Sequence, residues 1–344
     1  GSFTTDAQLN DVKNSSAGGF IVTGSSGGQA LLMKVDAVGA ITWNYKFIPQ
    51  AGASAYGNKV IQTSDGGYLV AGSAAELGAG RDSSKLFAFK TDGSGTLSWA
   101  KVFLVNTGFD DDDYLSDVVE TADGYVFVGY ATMVAGDGQS DAVVVKTDKT
   151  GGFQWARRFG NSNSEDVESI ISDGGNNIVM SGLDNLGAYI YNWSAPNSGP
   201  TVIGTNTRYY STGLPVTAGN LTKTTDNNFA LFASGATFGN FTSILAKADR
   251  NTGAVLFAKS YNSFISLWPT GIQAADSGFL INSISADTTG SGGAYDFGVT
   301  KTDINGNQGG SGCPASNVTI LTQAYSPTVN TFTPTLITTG TRSS

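Results

Sequence analysis

The chain contains no histidine, and Cys313 is its single cysteine in 344 residues. Without imidazole there is no Ser-His-Asp or Cys-His dyad and no histidine general base. Histidine-ligated zinc, copper and haem are excluded as well, and one thiol can build neither a cysteine metal cage nor an internal disulfide. Charge is scarce: 14% of residues are Asp, Glu, Lys or Arg, against roughly 25% in ordinary soluble domains. The balance is acidic, with 19 cations, 28 carboxylates and a net charge of −9. Nucleic acid needs a clustered basic footprint and is excluded as a partner. No apolar run approaches the roughly 18 residues of a membrane-spanning helix.

Glycine is in excess, at 46 residues, and Ser, Thr and Asn are abundant. Low charge with this polar composition fits a secreted or cell-surface protein better than a cytosolic enzyme, so an extracellular location is expected. Asn-x-Ser/Thr triplets begin at Asn14, Asn192, Asn220, Asn240 and Asn317, a number near chance in such a chain.

The chain repeats. Lys34-Val35-Asp36, Lys90-Thr91-Asp92, Lys146-Thr147-Asp148, Lys247-Ala248-Asp249 and Lys301-Thr302-Asp303 recur with Asp spacings of 56, 56, 101 and 54 residues. The long gap holds two units, one of them degenerate, which makes six units of about 50–56 residues. Within a unit a short alternating strand is followed by an Asp/Gly turn and a second strand, as in Asp65-Gly66-Gly67-Tyr68-Leu69-Val70. After a variable loop a third strand ends in Lys-x-Asp. A turn then leads to a fourth: Asp36, Asp92, Asp148 and Asp303 each precede a glycine by three residues. Asp caps such a turn through its side-chain oxygen, and glycine supplies the positive φ. Trp43, Trp99 and Trp155 lie seven residues beyond their Asp, and Phe257 lies eight beyond Asp249. The sixth unit has Gly310 there. A second aromatic follows four residues later at Phe47, Phe103, Phe159 and Tyr261.

Four short strands per unit, six times over, without helical periodicity, predict an all-β, six-bladed β-propeller of four-stranded blades. Seven blades are the alternative. The recurring Trp43, Trp99, Trp155 and Phe257 are expected to be buried between blades. The Asp249 to Phe257 run resembles the tryptophan-docking repeat of quinoprotein-like propellers. The wider Asp-Gly-Gly-Tyr, Lys-x-Asp and Trp pattern resembles propeller repeats of secreted bacterial proteins, over about residues 10–310. The resemblance implies architecture and says little about function. Quinoprotein enzymes have eight blades and a bound quinone, which six units and one cysteine do not match.

Two segments depart from the repeat. In the fourth unit Ala188-Tyr189-Ile190-Tyr191 is followed not by Lys-x-Asp but by Asn192 to Pro200, either a decayed turn or a loop that shapes a surface. The propeller is expected over residues 1–316. Residues 317–344 are nearly uncharged and rich in Thr and β-branched residues, and are expected to form strands that close the ring or contact a partner.

Candidate chemistry is sparse. Asp110, Asp111, Asp112 and Asp113 form the one dense charge run, and a hard cation such as Ca²⁺ would relieve their repulsion. A solvated acidic loop is the plainer reading. Six Arg, with Arg157 and Arg158 adjacent on a strand and facing opposite ways, do not assemble a sialidase triad. Cys313 has no activating base nearby in sequence. The expectation is a non-enzymatic binding, adhesion or structural subunit, with protein or glycan at the cell surface or its own copies as partners. An enzyme acting on glycans through two carboxylates is the alternative.

Overall fold

The computed structural model describes residues 7–50, 52–75, 84–105, 112–132, 140–159, 164–184, 187–210, 216–217, 219–237, 240–261, 270–286, 295–308, 315–317, 321–324, 329–332, 335–338 and 341–343. All regular structure there is β, in six antiparallel sheets that follow one another along the chain. They are the six blades of a propeller, at residues 7–48, 55–104, 113–159, 166–210, 216–261 and 270–301. Blade two shows the plan: Ala55–Gln62, Tyr68–Ala75, Ser84–Thr91 and Leu97–Leu104 pair in order from the hub outward. Blade six has three strands among the described residues, Thr270–Gln273, Phe279–Ala286 and Tyr295–Lys301. Gly310 and Cys313 lie outside the described residues.

The repeat motif builds the blade. Lys90 is almost fully buried in the third strand and donates to the carboxylate of Asp65, 2.9 Å away in the turn between strands one and two. The same bond ties Lys146 to Asp123 at 2.7 Å, Lys247 to Asp226 at 2.6 Å and Lys301 to Asp276 at 2.8 Å. Blade one has Ala17 at the Asp position, and Lys34 turns instead to the carbonyls of Gly18 and Val35. The Asp of Lys-x-Asp closes the next turn: Asp92 Oδ1 accepts from the amides of Ser94 and Thr96, both at 2.9 Å. Gly95, at φ 82°, completes it.

Stacking explains the coupling between tryptophan and glycine. The aromatic of one blade rests on the turn glycine of the next. A Cβ on Gly95 would come within 2.7 Å of Tyr45 and 3.1 Å of Trp43; one on Gly151 would meet Trp99 at 2.8 Å, and one on Gly306 would meet Phe257 at 2.9 Å. Against expectation, Trp43, Trp99 and Phe257 are only half-buried, and Trp155 alone is buried. They lie near the rim, where one face of each ring meets the neighbouring turn. The fully buried plugs are the second aromatics, Phe47, Phe103, Phe159 and Tyr261. Phe47 stacks on Phe89 of blade two at 4.2 Å, and Phe103 meets Phe127 of blade three at 5.9 Å.

Blade four is rebuilt rather than decayed. Asn192, opposite Val179, takes the register position of the missing lysine, and the next residue, Trp193, is buried against Trp155 and Phe159. Asp173, which opens its turn where Thr63 and Thr224 open theirs, binds Lys223 and Arg250 of blade five. The 195–206 loop grips blade three: Trp155 Nε1 donates to the Pro196 carbonyl at 2.8 Å, and the Asn197 amide donates to Asp123 at 2.8 Å.

The C-terminal segment runs backward around the rim. Ala315–Asn317 pairs with the outer strand of blade five, Leu321–Ala324 with that of blade four, and Val329–Phe332 with that of blade three. Thr335–Thr338 then pairs with blade two, and Thr341–Ser343 with blade one. Each pairing is antiparallel and adds a fifth strand, and the first begins two residues before the expected 317. Adjacent strands rotate by roughly 20–25°, so a fifth strand lies nearly a right angle from the hub strand and tangential to the rim. Ser316 pairs with Ser260 and Arg342 with Phe47. The 26 residue steps from Ser316 to Arg342 span four blade steps, about 21 Å of extended chain per blade at roughly 3.3 Å per residue.

Candidate functional site

The first strands of all six blades line a central cavity of about 680 Å³, with Asp11, Lys13, Lys59, Asp117, Ser169, Asn220 and Ile272 among its walls. A second chamber of about 280 Å³ adjoins it and is bounded by Asn58, Lys59, Tyr114, Tyr130, Glu168 and Thr270. Lys59, Asn220 and Thr270 border both.

A bulge in the hub strand aims side chains here. The register slips between Leu9 and Asp11, Gly57 and Lys59, and Val167 and Ser169. Opposite each slip stands a glycine, Gly24, Gly72 or Gly182, where a Cβ would run into the partner strand's carbonyl. The bulged Asn10 and Asn58 donate to the carbonyls of Gly57 and Leu115 in the next blade, both at 2.9 Å. Asp11 accepts from the Val60 amide at 3.1 Å, and Asp117 from the Ile170 amide at 3.0 Å. Burial pushes the Asp117 carboxyl up, against the opposing pull of Lys59 and the two amides. Much of the channel's polarity is thus part of the inter-blade bonding.

The mouth beside blades three and four is acidic. Burial first, and then the charge of Glu168, push the Asp166 carboxyl up to about 8. Glu168 is raised by burial too, although Asp166 and Lys59 pull it down, and the two carboxyls hydrogen-bond to each other. Shared burial thus favours a bound proton on this pair. Tyr130 faces the same charges, and burial pushes its hydroxyl to about 12. Its ring lies 5.4 Å from Tyr114.

The Asp run is split at its described end. Asp110 and Asp111 lie outside the described residues. Asp112 is exposed and its carboxylate accepts from the Ser84 amide of blade two at 3.1 Å. Asp113 opens the first strand of blade three and is fully buried. Among the described residues no group of three or more Asp, Glu, His or Cys side chains is placed to hold a metal ion. The pair that does converge, Asp166 and Glu168, was not singled out by the sequence. Its signal was the acidic Glu165-Asp166-Val167-Glu168 stretch at the start of a hub strand.

Arg157 and Arg158 diverge as strand neighbours should. The Arg157 guanidinium lies over Trp155 at 5.5 Å, and Arg158 pairs with Asp141 at 3.1 Å. Among the described residues no helix is long and apolar enough to cross a membrane.

No protein-family model and no curated protein matches the sequence. Among solved structures the chain is similar to Drosophila Plexin A in complex with Semaphorin 1b, at 8% identity and a TM-score of 0.32, over 82% of this chain and 84% of that one.

Proposed function

We propose that this chain is a non-enzymatic binding or structural subunit working outside the cell or at its surface, with protein or glycan partners or its own copies. The observation that carries this reading is where the charged groups go. The repeated Lys and Asp pairs hold blades together, and Asp11 and Asp117 hold neighbouring blades together. What remains for recognition is the channel mouth, where Tyr114 and Tyr130 offer aromatic faces beside Lys59 and Glu168. Aromatic platforms edged by a few polar groups suit sugar rings and protein loops alike.

The glycan-active alternative has one observation in its favour, a buried carboxyl with a raised pKa whose neighbour Glu168 lines the smaller chamber. Asp166 and Glu168 are hydrogen-bonded to each other, however, whereas glycoside hydrolysis needs carboxyls about 5–9.5 Å apart. A glycan array probed with the full chain separates the two. The binding reading predicts retained ligands whose signal falls for Tyr114→Ala and Tyr130→Ala, with no product formed. Turnover of a polysaccharide that disappears in Asp166→Asn would overturn it. Calcium belongs to the same proposal at Asp110 to Asp113: chelation should lower the melting temperature and added Ca²⁺ restore it. No shift across millimolar Ca²⁺ at constant ionic strength would remove the ion from the account.

A further inference from the structure

At three junctions neighbouring blades meet by a device that the junction of blades six and one lacks. Trp43 lies 6.0 Å from Tyr68 and covers Gly95; Trp99 lies 6.2 Å from Tyr125 and covers Gly151; Phe257 lies 6.3 Å from Phe279 and covers Gly306. The receiving aromatics Tyr68, Tyr125 and Phe279 are at most 1% exposed. Blade one offers the same receiving surface to blade six, with Phe20 at the aromatic position and Gly39 at the turn glycine. Phe20 is 39% exposed, and nothing lies within 4 Å of a Cβ placed on Gly39. Val12 is 55% exposed where its counterparts Val60 and Val118 are buried. Val38 and Ile41 are exposed beside them.

Two features of the chain accompany this exposure among the described residues. The residue seven beyond Asp303 is Gly310, and no aromatic occurs between Ile304 and Ala324. The C-terminal strands pass from blade five to blade one the long way round, crossing four junctions of the ring and not this one.

We propose that this seam is a docking site for an extended strand of a partner polypeptide carrying an aromatic residue, which lies on Phe20 and Gly39 as Trp43 lies on Tyr68 and Gly95. The internal junctions fix the partner's chemistry: a Trp or Phe at the glycine, and a second aromatic four residues on that enters the blade interface. A strand seated this way draws its specificity from the side chains it lays on the blade face. The inference deepens the binding role proposed above and uses a surface separate from the channel mouth, so each can fail alone.

The test uses a fluorescent peptide of this chain's own sequence 39–50, which contains Trp43 and Phe47, titrated into the full protein. Saturable binding is expected, weakened about tenfold or more by Trp43→Ala in the peptide and by Phe20→Asp in the protein. Phe20 is 39% exposed, so Phe20→Asp should remain folded, which its circular-dichroism spectrum checks. Absence of saturable binding, or binding that neither substitution weakens, overturns the proposal. A tyrosine-dependent glycan signal that persists in Phe20→Asp would leave the channel reading standing.

Discussion

Phe103 and Trp99 belong to the same repeat but stand in different surroundings. Phe103 is fully buried against Phe127, whereas Trp99 keeps one side toward solvent. Phe103→Ala should therefore cost about 3–5 kcal/mol, and Trp99→Ala less despite its larger ring. Equal losses in denaturant melts would contradict the observed depths. The turn glycines separate backbone strain from contact. Gly39 and Gly151 have similar φ, 86° and 78°, but only Gly151 has an indole where a Cβ would go. Alanine at either position should cost about 1–2 kcal/mol in strain, and at Gly151 a further 1–3 kcal/mol from overpacking. Matching losses at the two positions would refute stacking of Trp99 on Gly151.

At the channel mouth the sign of the pH dependence is fixed by Asp166. Its folded pKa of about 8 lies above the unfolded value near 4. Its contribution is therefore full below about pH 4 and is lost as pH rises toward 8. Asp166→Asn should raise the melting temperature at pH 8 and change it little at pH 4, as followed by calorimetry. A variant less stable than wild type at pH 8 would contradict the buried pair. Asp65 behaves oppositely. Burial works against its charge, but bonds from Thr63, Lys90 and Gly67 outweigh that and hold it at about 2. Its stabilisation is present above about pH 4 and is lost only as pH falls toward 2.

The blade is the unit in which the sequence was most readable. Strand alternation, Asp-Gly turns and Lys-x-Asp spacing mark strands and turns through local chemistry, and all three recur at a fixed period. What lysine and aspartate do for each other was not readable, because Lys146 and Asp123 are 23 residues apart and meet only through the pleat. Depth was hidden for the same reason: spacing places Trp99 and Phe103 on one strand but does not say which stands nearer the rim. Blade four reads as a decayed turn with a shaped loop as its alternative, since an absent Lys-x-Asp does not reveal that Asn192 stands in the lysine's place and that Trp193 beside it packs on blade three. Lys146→Met removes a fully buried ammonium from a carboxylate that stays partly exposed and keeps its bonds to Asn176 and Asn197. The expected cost is about 1–3 kcal/mol, below that of stranding a buried charge. An unchanged midpoint in urea would show that the lysine is dispensable to the blade.

At the scale of the whole molecule, the C-terminal segment joins blades that are distant in sequence. Its residues announce strands through Thr, Val, Ile and Leu, but not partners, because any blade rim presents the same row of backbone groups. Arg342 gives one local anchor. Its guanidinium stacks 4.1 Å over Tyr45 and donates to the Gly95 carbonyl at 3.0 Å, spanning blades one and two at the segment's end. The central claim is that this segment is the fifth strand of five blades, and hydrogen exchange on a chain ending at Gln308 tests it most directly. The account predicts faster exchange of backbone amides in the outer strands Ile41–Ile48, Leu97–Leu104, Phe153–Phe159, Thr207–Tyr210 and Val255–Tyr261. Protection of the inner strands Tyr68–Ala75 and Gly124–Thr132 should be retained. Outer-strand protection equal to that of the full chain would contradict it.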